Sequence, residues 1–209
     1  PCIIGYDVEG HVEEVADDVA RFKKGDRVFG LTRFGGYAQY AVTQAQAVSH
    51  MPEEAPIGTG CALATQCVTA YHAAILSQTL LPGEKVLIHA AAGGLGTALV
   101  QIALWKGCTV IGVAGGSEKV EYLKNLGVHH VVDHHRINWT DYVHQHLNGR
   151  VDVIFDNIGG SSIKKGKSVL AHGGRIVTLG AAALSGKKGK LNLIRLGLGF
   201  GFFSPIAYL

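Results

Sequence analysis

Val86-Leu87-Ile88-His89-Ala90-Ala91-Ala92-Gly93-Gly94-Leu95-Gly96 is the stretch that decides the fold. A short apolar run ends in a loop of small residues, and the loop opens directly into a helical pattern over 95–106. A strand, a glycine loop and a helix in that order are the setting a dinucleotide-binding fingerprint demands. Here Ala91 takes the first glycine place, and Gly93 and Gly96 take the other two. At Gly93 the backbone can approach a pyrophosphate, and at Gly96 the helix can lie close on the strand. The amides and dipole at the helix N-terminus favour negative charge. The plain alternative is a glycine turn that serves packing only; its strand–loop–helix setting favours the nucleotide.

Downstream the same rhythm continues. Thr109–Val113, His130–Asp133, Val151–Phe155 and Arg175–Leu179 are further apolar runs, separated by helical patterns over 117–126, 138–147 and 161–171. Five short runs alternating with four helices predict an α/β fold, a Rossmann-type doubly wound parallel sheet with helices on both faces. Upstream the texture differs. Residues 58–77 are rich in alanine and threonine with helical spacing, and Pro82-Gly83-Glu84 is a loop. Ile3-Ile4, Arg27–Phe29 and Tyr37–Val42 read as strands between turn signals at Lys24-Gly25-Asp26 and Phe34-Gly35-Gly36. This predicts part of an antiparallel β module, cut off on its N-terminal side.

Composition narrows the class. Of 209 residues 47% are hydrophobic and 17% charged, which excludes a disordered chain. The 29 glycines follow no Gly-X-Y period, which excludes collagen and leaves tight turns to explain them. Cys2, Cys61, Cys67 and Cys108 have no paired short spacing, so neither a disulfide framework nor a four-cysteine zinc site is expected and a reducing compartment fits. No apolar stretch is long enough to span a membrane. The start at Pro1, without methionine or a signal peptide, reads as a fragment.

Charge is unevenly placed. Residues 1–156 carry 11 basic and 16 acidic side chains, whereas 157–209 carry 8 basic and none acidic. A basic end of this kind suits a nucleic acid, a membrane surface or a phosphate-bearing cofactor, and otherwise is a solvated face. The solvated face is the favoured reading, and no nucleic-acid partner is expected. The apolar stretch Leu196–Pro205 follows Lys187, Lys188, Lys190 and Arg195. Its glycines and Pro205 argue against a stable amphipathic helix, so cover of a site or an interface is favoured over membrane association.

The end of the second run of the series discriminates between cofactors. An acidic residue there would hydrogen-bond the ribose hydroxyls of NAD. The chain instead reads Val113-Ala114-Gly115-Gly116-Ser117-Glu118-Lys119. Ala114 stands in the strand-end place, and Ser117 and Lys119 are placed to contact a 2′-phosphate, so NADPH is expected over NADH. Glu118 is assigned to the first turn of the following helix, where an acid suits the dipole. The loops Asp156-Asn157-Ile158-Gly159-Gly160 and Leu179-Gly180-Ala181-Ala182 follow later strands and should complete the crevice. Six histidines fall between His129 and His146. His130 and His134 straddle a strand end rather than sharing a helix face, so surface histidines are expected and a metal site is not.

An ordered set of motifs carries a resemblance across nearly the whole chain: Ile4-Gly5-Tyr6-Asp7, Gly25-Asp26-Arg27-Val28, Gly35-Gly36-Tyr37-Ala38, Thr69-Ala70-Tyr71, Pro82-Gly83-Glu84, Ala90–Gly96 and Asp156–Gly160. The chain resembles the medium-chain dehydrogenase/reductase superfamily. It is most similar to the zinc-free branch that holds NADPH:quinone oxidoreductases (zeta-crystallins), vesicle amine transport protein homologues and polyketide enoyl reductase domains. Zinc members carry Gly-His-Glu where this chain has Gly5-Tyr6-Asp7. Their later cysteine ligand falls near Thr65, and the place of their four-cysteine lobe, between Val28 and Gly36, is a short loop without cysteine.

The resemblance implies a partial GroES-like β catalytic domain over 1–57 and an NADP-binding Rossmann domain over 58–209, incomplete at its C-terminal end. It implies zinc-independent hydride transfer from NADPH to a quinone or an α,β-unsaturated carbonyl. By the same carry-over, Thr69, Gly93, Gly94, Leu95, Gly96, Ser117, Lys119, Asn157, Leu179, Gly180 and Ala181 line the cofactor, with Ala91 and Gly116 in the two glycine-rich loops. His134 takes a place near the adenosine phosphate where quinone reductases often have tyrosine. No catalytic residue is named, and the protonating group is absent or is water. A cytoplasmic homodimer at full length is implied. The alternatives are an enoyl-thioester reductase module, which Leu126–Asp133 resembles, and a non-catalytic cofactor-binding or membrane-associated protein of the same fold.

Overall fold

Val86, Leu87 and Ile88 are wholly buried, as are Val110 and Ile111. Runs without polar alternation are what a parallel sheet covered on both faces requires. The computed structural model describes residues 3–180, and the chain divides into two compact units, Pro1–Thr69 and the part from Ala70 onward.

In the first unit, β1 (Asp7–His11), β2 (Arg27–Leu31) and β3 (Val48–His50) form an antiparallel sheet in the order β1-β2-β3. Asp7 pairs with Leu31, and Phe29 with Ser49. Helix α1 (Thr59–Tyr71) follows and runs into a π-helical turn, His72–Leu76, across the division of the units. The strands expected at Ile3-Ile4 and Tyr37–Val42 are absent. Three backbone hydrogen bonds, from Gly35 to Ile3, Gly36 to Gly5 and Tyr37 to Ile4, join those segments without a ladder. Positive φ at Gly5, Phe34 and Gly35 breaks the extended backbone there. Tyr37, Tyr40 and Val42 are 74%, 77% and 96% exposed, so their β propensity has no burial to draw on.

The second unit alternates throughout. Its elements are β4 (Lys85–His89), α2 (Gly94–Trp105), β5 (Thr109–Ala114), α3 (Ser117–Asn125), β6 (His130–Asp133), α4 (Trp139–His146), β7 (Val151–Asp156), α5 (Ser161–Val169) and β8 (Leu170–Thr178). The sheet is parallel, in the order β6-β5-β4-β7-β8. The order reverses between β4 and β7, which makes that junction the topological switch point where ligands of such sheets bind. Leu87, Ile111, Val132 and Ile154 from the strands meet Val143, Leu147 and Val169 in one core cluster. Burial of each large side chain contributes roughly 1.5–3 kcal/mol.

Local chemistry sets the ends. Asn138 caps α4, its Oδ1 accepting from Thr140 N–H at 3.2 Å and from Thr140 Oγ1 at 2.9 Å. β8 begins five residues before the expected Arg175, because Leu170 already pairs with Val151 ahead of an irregularity in the ladder. Gly173-Gly174 conceals that start in the sequence. Arg175 on β8 donates to both carboxylate oxygens of Glu84, to Gln78 Oε1 and to Thr79 O, tying the loop before β4 to the sheet edge.

Candidate functional site

β4 ends at His89, β5 at Ala114, β6 at Asp133 and β7 at Asp156. Over these carboxyl ends lies a cleft of about 700 Å³. Its wall takes His89, Ala90, Ala92 and Gly93 from β4 and the glycine loop, and Val113, Ala114, Gly115 and Lys119 from β5 and α3. His134–Trp139 close it on one side, and Ile158, Ser161, Ser162 and Lys165 on another. Lys119, Arg136, Lys165 and three histidines therefore face one volume, and no carboxylate is among its described lining residues.

The glycine loop is held at both ends. Ala91 N–H donates to Val113 O at 3.0 Å, and Gly93 N–H to Ala90 O at 2.9 Å. Gly96 has no room for a side chain: a Cβ there would lie 2.2 Å from Ala90 O and 2.7 Å from Ala91 Cα. This is the close approach of helix to strand that the fingerprint calls for. Gly93 occupies the N-cap of α2 and supplies no side chain to cap it. The first amides of α2 are therefore left for an external acceptor.

His89, 3% exposed, is buried in the cleft wall, as is Ser162. Its Nε2 is 3.3 Å from Ser162 Oγ, and its ring meets the edge of Trp139 with centroids 4.8 Å apart. Burial pushes its pKa below the usual histidine range, against the opposing attraction of Asp156, while His134 adds to the lowering. The loop after β7 is tied to the same strand end. Asn157 Nδ2 donates to His89 O at 3.0 Å, and Asp156 Oδ1 accepts from Ile158 N–H and Gly159 N–H at 2.7 and 2.9 Å. Asp156 Oδ2 and Asn157 Oδ1 are buried without a protein partner.

Of the residues expected to bind a cofactor, the structure brings Gly93, Lys119 and His134 together in the cleft wall. Ala91, Gly94, Leu95 and Gly96 form the adjoining strand–loop–helix junction. Gly116 lends its N–H to Asp133, and Ser117 is exposed and outside the cleft wall. Leu179 N–H donates to Asp156 O at 2.9 Å, and a Cβ at Gly180 would lie 2.9 Å from Asn157 O. Thr69 is on α1 in the first unit, its hydroxyl donated to Thr65 O. Ala181 and the basic and apolar stretch from Lys187 to Pro205 lie outside the described residues.

Sequence reasoning overlooked His89, Arg136, Trp139, Ser162 and Lys165. His89 was detectable as the last residue of the first strand of the series, the position from which such sheets face their ligand. The others depend on how α4 and α5 start, which no motif announces. The histidine cluster divides between the two ends of the sheet. His134 and His135 stand by the cleft, whereas His130, at the start of β6, meets Tyr142 Oη at 3.2 Å. His130 is half-buried and the other five are exposed. Among the described residues no group of three or more His, Cys, Asp or Glu is arranged to hold a metal ion. Among them, too, no helix is long and apolar enough to cross a membrane.

Comparison with known proteins follows the two units. Residues 1–53 match the alcohol dehydrogenase GroES-like domain, and residues 94–198 match the zinc-binding dehydrogenase family. The chain is 37% identical over 183 residues to the quinone oxidoreductase of Homo sapiens, covering 87% of this chain and 56% of that protein. It is similar to the crystal structure of Escherichia coli quinone oxidoreductase complexed with NADPH, with a TM-score of 0.82 and 25% identity over 95% of this chain and 61% of that one. The CurK enoyl reductase gives a TM-score of 0.80 at 28% identity, over 95% of this chain and 58% of that one. The chain thus spans little more than half the length of the curated relatives it matches.

Proposed function

The chain belongs to the medium-chain dehydrogenase/reductase superfamily, and from that premise we propose that it is part of a zinc-independent, NADPH-dependent reductase acting on a quinone or an α,β-unsaturated carbonyl. The observation that carries the reading is the cleft at the strand switch point, lined by Lys119, His134, Arg136 and Lys165 with no carboxylate among its described lining. Such a wall suits a dinucleotide bearing an extra phosphate. The NADPH complex of the E. coli relative supports the same choice.

The residues present fit the cofactor. The absent side chain at Gly96 leaves the close helix–strand approach of a pyrophosphate cradle, and the uncapped amides of α2 follow Gly93. NADPH, when bound, supplies the hydride. The chain's own part is to bind and orient. Gly93 and the first turn of α2 would hold the pyrophosphate, Lys119 and His134 the adenosine phosphate, and the Asn157 and Gly180 loops the other half. His89 and Trp139 wall off part of the crevice, and Asn157 holds the β7 loop against the end of β4. The acceptor's proton would come from water.

Zinc independence draws support from the first unit. The places where zinc members carry ligands hold Tyr6-Asp7 and Thr65, and Thr65 donates from both N–H and hydroxyl to Asp7 Oδ1. That carboxylate oxygen is engaged as an acceptor within the unit. On this reading residues 1–57 are the partial GroES-like domain and the remainder the NADP-binding domain. A reducing, cytoplasmic setting is part of it, supported by the free thiols of Cys61, Cys67 and Cys108. A homodimer of the full-length protein rests on the family resemblance.

The test is a nicotinamide-fluorescence titration with NADPH and NADH, followed by NADPH oxidation against a panel of quinones and enones with the full-length protein. Preferential NADPH binding and turnover are expected; cofactor binding with no turnover across the panel overturns the reductase. An enoyl-thioester substrate is the second reading, favoured by the likeness to the CurK enoyl reductase. Turnover of a thioester but not of a free quinone would decide for it.

A further inference from the structure

Asp133 ends β6 opposite Ala114, the last residue of β5. Its Oδ1 accepts from Gly116 N–H at 3.2 Å and from His135 N–H at 3.0 Å. One carboxylate oxygen thus joins the loop after β5 to the loop after β6. Its Oδ2 lies 3.6 Å from Arg136 Nε. Asp133 is itself absent from the cleft wall, whereas the three residues after it and Lys119 are in that wall. The two histidine rings lie edge to face, 4.5 Å apart, above Gly115. A Cβ on Gly115 would come within 2.7 Å of His134 Nε2 and 2.8 Å of His135 Nε2. His134 N–H donates to Ala114 O at 2.9 Å, which continues the strand pairing into the loop. The corner is therefore built: two loops locked by one carboxylate, with cationic and imidazole side chains converging beside a strand end that carries no acid of its own.

We propose that Asp133 is a positioning residue that locks these two loops into a phosphate-recognition corner, and that Arg136 joins Lys119 and His134 in recognising the 2′-phosphate on the cofactor's adenosine. The proposal rests on the NADPH reading above. An acid at the end of β5 would meet ribose hydroxyls and repel a 2′-phosphate. Here the acid stands one strand further on. Two amides and Arg136 engage its charge, and the peptide donors keep it ionised, with its pKa below the usual aspartate range. The same negative group that would oppose the phosphate in one place organises its site in the other. Arg136 brings a planar, permanently charged fork suited to phosphate.

The test uses 2′,5′-ADP and 5′-AMP as probes, bound by calorimetry to the protein and to Asp133→Ala, Asp133→Asn and Arg136→Gln. The wild-type protein is expected to prefer 2′,5′-ADP. Asp133→Ala should lose about tenfold of that preference with 5′-AMP affinity little changed, the fold-change of one charge-assisted hydrogen bond. Asp133→Asn, whose amide oxygen still accepts from both peptide groups, should restore most of it. Arg136→Gln should weaken 2′,5′-ADP several-fold and leave 5′-AMP alone. If the wild type prefers 2′,5′-ADP but Asp133→Ala, melting normally, keeps the full preference, the positioning role is wrong and the NADPH reading stands. If Asp133→Ala does not fold, an unchanged preference in Arg136→Gln overturns the corner instead. Equal binding of both probes by the wild type overturns the NADPH reading and this proposal with it.

Discussion

Thr65 gives both its main-chain N–H and its hydroxyl to one carboxylate oxygen of Asp7, at 2.7 and 2.6 Å. The link joins α1 to the first strand across 58 residues of chain. Thr65→Val keeps the N–H donor and removes the hydroxyl. It should cost about 1.5–3 kcal/mol of stability, the range for a hydrogen bond to a charged group, read by denaturant unfolding. Exhaustive chelation should leave NADPH oxidation by the full-length protein unchanged. Activity lost on chelation and restored by zinc would contradict the metal-free reading.

Gly96→Ala tests the glycine loop. The added methyl would meet backbone at 2.2 Å, and neither Ala90 O nor Ala91 can swing aside as a flexible side chain could. A loss of about 2–3 kcal/mol from overpacking is expected, together with loss of cofactor binding. A variant as stable as wild type would mean that the helix is free to retreat from the strand.

Arg27 is enclosed, with 8% of its side chain exposed against 7% for its partner Glu9. It donates to Glu9 Oε1 at 2.7 Å and to the carbonyls of Pro52, Glu53 and Ala55. Glu9 Oε2 in turn accepts from Gly60 N–H at 2.7 Å, at the start of α1. Arg27→Ala leaves a carboxylate and three carbonyls without their donor and should destabilise the first unit by about 3 kcal/mol. Thermal unfolding of the variant, compared with Glu9→Gln, separates the charge from the carbonyl contacts.

Acid sensitivity should have two stages. Burial lowers the pKa of both His89 and His130; His129, His146 and Lys85 reinforce it at His130. A histidine whose folded pKa is depressed binds its proton more readily when unfolded. The unfolded state therefore gains protons first as pH falls through about 6.5, and stability declines from there. Glu9, Glu84 and Asp133 are depressed too, through Arg27 at Glu9, through Arg175 against burial at Glu84, and through the His135 peptide at Asp133. Their contribution is complete above about pH 5 and is lost progressively as the pH falls below it. His89→Gln should make the upper stage shallower, leaving the share of His130, and leave the lower one unchanged, measured as unfolding free energy against pH. An unaltered upper stage in that variant would remove His89 from the account.

The alternation from Lys85 to Thr178 was legible in the residues, because strands buried on both faces leave short apolar runs and the intervening helices leave a different period. The glycine loop was legible for a related reason: the need for a missing side chain at Gly96 is local, set by atoms a few residues away. In the first unit the strand read at Arg27–Phe29 is part of β2, but β1 and β3 were not legible. Asp7-Val8-Glu9-Gly10-His11 is a strand because it pairs with Arg27–Leu31 and because Arg27 and Thr65 satisfy its carboxylates, partners 18 and 58 residues away. Tyr37–Val42 has the stronger β composition and no such pairing.

Residue chemistry alone determined the fold class, the position of the nucleotide loop and the absence of an acid at the end of β5. Each follows from side-chain size or charge at consecutive positions. Tertiary structure decided which cations share the cleft, that His89 is buried against Trp139 and Ser162, and that Asp133 clamps two loops. Those relations hold between residues brought together by the strand order β6-β5-β4-β7-β8, and sequence spacing carries no trace of that order.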